Sequence, residues 1–149
     1  MNCDLQLHLS APWIVEQETY ADESGFDVSH LQAVLGAGED KPLEAMVDIY
    51  VGDMPEGESA EDQAFANYAE VVGFDEDDPE DFNPISKTEF NGKTAWCFSA
   101  LCEDDSPMIC ISQEVKKGIL AIICIAAPSD EKLEETRKLI ERSLRIRLV

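Results

Sequence analysis

Ile119-Leu120-Ala121-Ile122-Ile123-Cys124-Ile125-Ala126 is apolar at every position. A strand with one wet face alternates apolar and polar residues, so a strand apolar on both parities belongs in a sheet covered on both faces. Packing on one side only would leave Leu120 and Ile122 in water. Upstream, Lys116-Lys117-Gly118 is a turn, and Pro107 to Val115 is the strand that enters it. Glu103 to Ser106 turn the chain once more. Before them, Ile85 to Phe90 and Lys93 to Cys102 flank Asn91-Gly92, the pair that suits a type I′ hairpin because both residues tolerate positive φ. The stretch from Ile85 to Ala127 therefore reads as a four-stranded antiparallel meander.

Covers for this meander are also legible. Ser129 is placed to cap a helix with Asp130 and Glu131 in its first turn, where carboxylates complement the exposed amides. Leu133, Thr136, Leu139, Ile140 and Leu144 form its inner stripe, and Arg137, Lys138, Arg142 and Arg145 crowd its C-terminal half, where cations suit the dipole. Toward the N-terminus, Ser59 caps a second helix, with Glu61 and Asp62 in the first turn and Phe65, Tyr68, Ala69 and Val72 on one stripe; Gly73 is placed to end it. Leu5, Leu7 and Leu9 alternate with polar residues as a first strand ending at Ala11-Pro12, and Trp13 begins another extended piece. Val28 to Leu35 reads as strand in preference to a short helix, and Leu43 to Val51 as strand before a Met54-Pro55-Glu56-Gly57 turn.

One domain is expected over residues 1–149. With a helix before the meander and another after it, the expected fold is α+β: a central antiparallel sheet of about six strands sandwiched between helices. Pro12-Trp13, the Asn91-Gly92-Lys93-Thr94-Ala95 hairpin and the terminal Ser143 to Ile146 segment, in this order of elements, resemble the PsbP/Mog-like fold over nearly the whole chain. The resemblance implies a non-enzymatic adaptor. Proteins of that fold include photosystem accessory subunits, Ran-binding import factors, bacterial secretion chaperones and many uncharacterised bacterial proteins.

Charge is divided along the chain. Lys41 is the only base among the first 86 residues, which carry 22 Asp and Glu; beyond them ten acids face ten bases, so the net charge of −21 lies in the N-terminal part. Such a field repels nucleic acid and anionic lipid, and it favours basic protein surfaces, divalent cations or simple solubility. No apolar run approaches the length of a membrane span, and Asp4 stands where a leader would be basic, so a cytoplasmic protein is expected. The five cysteines, Cys3, Cys97, Cys102, Cys110 and Cys124, show no Cys-x-x-Cys spacing and read as buried thiols of a reducing compartment.

Several candidate sites can be weighed. Asp75-Glu76-Asp77-Asp78-Pro79-Glu80-Asp81 gathers six carboxylates, yet as a calcium loop it would set Glu80 where glycine belongs and Ser86 where a bidentate Glu belongs. A solvated acidic loop is the first reading, contact with a basic partner the second and a specific metal site the third. No metal or other cofactor is expected. His8 and His30 have no second ligand at helical or hairpin spacing, and a strand or surface histidine is the plainer reading of each. Ser99 and Ser112 lack a nucleophile elbow, and Gly36-Ala37-Gly38 is followed by Glu39 and Asp40, which would repel phosphate. Trp96 and Phe98 share one strand parity, and Trp13, Phe65 and Tyr68 could join them in one sheet–helix layer, most simply as core. If a helix leaves part of that face open, an apolar groove results.

The expected function is that of a small acidic protein-binding adaptor or chaperone-like module, a monomer without nucleic-acid or membrane partners. Its candidate contacts are Asp75, Glu76, Asp77, Asp78 and Asp81 for a basic partner, or Trp96 and Phe98 for an apolar helix. An inhibitor or immunity-type protein that neutralises a basic partner is the first alternative. A hydrolase with a carboxylate site is the second.

Overall fold

The computed structural model describes residues 3–7, 13–21, 27–36, 44–54, 56–72, 85–102 and 106–148. Along the chain these form β1 (Cys3–Leu7), β2 (Ile14–Ala21), β3 (Asp27–Leu35), β4 (Ala45–Asp53), α1 (Ala60–Val72), β5 (Ser86–Phe90), β6 (Lys93–Leu101), β7 (Pro107–Lys116), β8 (Ile119–Ala126), α2 (Asp130–Ser143) and β9 (Leu144–Leu148). Seven strands make one antiparallel sheet in the order β2-β3-β4-β8-β7-β6-β5. The wholly apolar strand β8 is its middle member. β5 to β8 are the expected meander, and β4 joins it by pairing with β8.

Local sequence accounts for the joints. Asn91 and Gly92 adopt φ of 53° and 79°, the two left-handed residues of a type I′ turn. Ser59 Oγ accepts from the Asp62 amide at 3.2 Å while Asp62 Oδ2 accepts from the Ser59 amide at 3.0 Å, a reciprocal cap that starts α1. Ser129 Oγ accepts from the Lys132 amide at 3.2 Å and starts α2. The β5–β6 hairpin is tied to α2 by the Asn91 amide, which donates to Glu141 Oε2 at 2.9 Å. It is tied to β7 by Gln113 Nε2, which donates to the Phe90 and Lys93 carbonyls.

The principal core lies between the sheet and α2. Odd-numbered residues of β3, β4, β7 and β8, among them Leu31, Ile49, Ile111 and Ile123, pack there with Ile140 of α2 and Leu144. The opposite face carries a smaller cluster in which Ala64 and Tyr68 of α1 cover Phe98 and Cys110, the Tyr68 and Phe98 rings meeting edge to face at 5.4 Å.

Three expectations change. The main sheet has seven strands, and α1 contacts β6 and β7; among the described residues no helix covers the same face over β8, β4, β3 and β2. A helix about 10 Å across covers about two strands spaced about 4.8 Å apart, so one helix cannot roof seven. Leu120 is nonetheless buried and Ile122 half-buried. Second, α2 ends at Ser143, and Leu144-Arg145-Ile146-Arg147-Leu148 forms β9, paired antiparallel with β1 in a separate two-stranded sheet. Its strict alternation is a strand period. Arg145 is thus not a helical residue, and its Nη1 donates to the Arg142 and Leu144 carbonyls where the helix stops. Third, Trp13 packs against the α2-side core, apart from Trp96 and Phe98, and Phe65 is 38% exposed.

Candidate functional site

Register places two rows of side chains across the α1 face of the sheet, from edge strand β2 to β7 beneath α1. Glu16, Gln32, Asp48, Cys124 and Cys110 are successive cross-strand partners on β2, β3, β4, β8 and β7. Beside them run Glu18, His30, Tyr50, Ile122 and Ser112 on the same strands. Even-numbered residues of these strands therefore share one surface, because side chains alternate along a strand and direct partners point the same way.

His30 is the centre of that surface. Its Nδ1 lies 3.2 Å from Glu18 Oε1 and its Nε2 2.9 Å from Asp48 Oδ1, and its ring stacks parallel on Tyr50 at 4.3 Å between centroids. Gln32 Nε2 donates to the same Asp48 oxygen at 3.2 Å. Partial burial pulls the imidazole pKa down, but hydrogen bonds and charge from Asp48 and Glu18 outweigh it, and the net shift is upward from 6.5. The imidazolium, with two N–H donors, is the form that satisfies both carboxylates. Tyr50 is moved upward as well, by burial and then by the Asp48 charge.

Both imidazole nitrogens are engaged, and on opposite sides of the ring. Neither nitrogen is left without a carboxylate partner. Among the described residues, no group of three or more His, Cys, Asp and Glu could hold a metal ion. Ile14 is 54% and Tyr20 42% exposed on edge strand β2, all eight residues of which are exposed. Between them stand Glu16 and Glu18, which with Gln17, His30 and Gln32 line a cleft of about 460 Å³. Neither Lys nor Arg occurs in β2, β3, β4 or β8.

The residues singled out from sequence fall elsewhere. Trp96 is half-buried and Phe98 2% exposed, both in the layer beneath α1. Asp75, Glu76, Asp77, Asp78 and Asp81 lie outside the described residues, as does His8. The His30 cluster is the feature that sequence reading passes over. Its members stand 12 and 18 positions apart, and only the β2–β3–β4 register brings them together.

No helix among the described residues is long and apolar enough to cross a membrane. No family model, curated protein or solved structure matches this chain.

Proposed function

We propose that this protein is a non-enzymatic binding module whose partner is a protein segment both cationic and apolar, seated on the open β2–β3–β4–β8 part of the sheet face. The observation that carries this reading is the composition of β2: exposed Ile14 and Tyr20 share one face with Glu16 and Glu18. Apolar contact supplies the adhesion, while carboxylates with no neighbouring Lys or Arg on these strands select a basic partner and steer its approach. The adaptor role implied by the PsbP/Mog-like resemblance agrees with this reading, and an inhibitor of a basic protein would use the same chemistry.

A labelled amphipathic peptide of Lys and Leu, with a Glu and Leu counterpart as control, tests the reading by fluorescence anisotropy. The Lys peptide should bind, weaken as salt rises from about 50 to about 300 mM, and lose affinity to Glu16→Lys and Glu18→Lys. Equal binding of the Glu peptide, or full binding by both variants, would sink it.

A further inference from the structure

Cys110 and Cys124 are direct partners on β7 and β8, and their Sγ atoms lie 2.7 Å apart. That is about 0.7 Å beyond an S–S bond of about 2.05 Å. Direct partners in an antiparallel pair have Cα atoms about 4.5 or 5.5 Å apart, and both spacings fall within the range a disulfide spans. We propose that Cys110 and Cys124 form a reversible two-electron modification site, closing to an intrachain disulfide in exchange with a small-molecule disulfide such as oxidised glutathione. The proposal is independent of the binding role assigned to the neighbouring face.

The two thiols have different parts in the exchange. Cys110 is 1% exposed, and its pKa is pushed far up by the hydrogen bond with Cys124, by burial and by the charge of Asp48. It does not open the reaction. Cys124 is half-buried, at the seam between the α1 layer and the open face, with Asp48 as its register partner on β4. The deprotonated Cys124 sulfur attacks the glutathione S–S bond, forming a mixed disulfide and releasing one glutathione thiolate. Cys110 then loses its proton and attacks the Cys124 sulfur, which releases the second. Two protein thiols are oxidised, one glutathione disulfide is reduced to two thiols, and the two protons pass from the cysteines to the products.

The test equilibrates the full chain in glutathione buffers of graded potential, both as native protein and after refolding from denaturant in the same buffers, so that burial cannot hide the equilibrium. Acid quench, alkylation and mass spectrometry read the result. Expected are a loss of two hydrogens, a linked peptide pair carrying Cys110 and Cys124, half-oxidation below about −200 mV and full reversal by dithiothreitol. The variant Cys110→Ser must abolish the loss. The proposal is overturned if all five cysteines remain alkylatable in both samples under fully oxidised glutathione, if the linkage joins other cysteines, or if Cys110→Ser still loses two hydrogens.

Discussion

His30 and Asp48 meet diagonally across β3 and β4, Nε2 to Oδ1 at 2.9 Å, and this contact ties the second strand of the sheet to the third. Glu18 holds the other ring nitrogen, so the imidazole bridges three strands. A histidine in that position makes the stability of the open face depend on pH.

The sign follows from the upward shift. The folded chain holds the His30 proton more tightly than the unfolded chain does. Its stabilising contribution is complete below the unfolded value near 6.5 and is lost as pH rises through the higher folded value. Urea midpoints at about pH 6 and about pH 8 should therefore show wild type losing stability relative to His30→Gln across that interval. A constant difference between the two proteins would mean that the contact does not form.

Asp48 is the larger of the two influences that raise His30, and it also accepts from Gln32. Replacing it with Asn should bring the His30 titration, followed by imidazole proton NMR, down toward its ordinary value. Asp48→Ala should destabilise the fold by about 1–2 kcal/mol through lost hydrogen bonds. An unmoved His30 titration in Asp48→Asn would contradict the assigned geometry.

Adjacent residues of β8 report on the two faces separately. Ile123 is fully buried between the sheet and α2, and Ile123→Ala should cost about 2–5 kcal/mol. Ile122 is half-buried on the face that α1 leaves open, and Ile122→Ala should cost distinctly less, about 1 kcal/mol. Equal losses in chemical denaturation would show that a cover lies over both faces.

Gly92 tests the hairpin. Its φ is 79° and an added Cβ would meet nothing within 4 Å, so only backbone strain is at stake. Gly92→Val should lower stability by about 1–2 kcal/mol, measured by thermal melting. A neutral result would argue against the type I′ turn.

Much of this architecture is written in short-range pattern. The Asn91-Gly92 turn, the caps at Ser59 and Ser129 and the strand β8 each depend on residues a few positions apart, and each stands in the structure as expected, although no described helix roofs β8 on the α1 side. What escaped depends on long-range register. The pairing of β9 with β1 joins opposite ends of the chain, and the helical stripe through Leu144 hid the alternation that follows it. The extent of α1's cover could not be read from its own stripe, since that depends on how many strands lie beneath it. The Glu18–His30–Asp48 bridge and the Cys110–Cys124 contact are likewise products of register: a slip of one residue in β3 or β8 would turn His30 or Cys124 to the opposite face.

The most direct test of the binding face is an amide NMR titration of the isotope-labelled protein with the Lys and Leu peptide. The account predicts shifts that saturate together and concentrate on β2, β3, β4 and β8, with Tyr20, His30, Tyr50 and Ile122 among the residues most affected. Shifts confined to the α2 side of the sheet, or no shifts at peptide concentrations well above that of the protein, would contradict it.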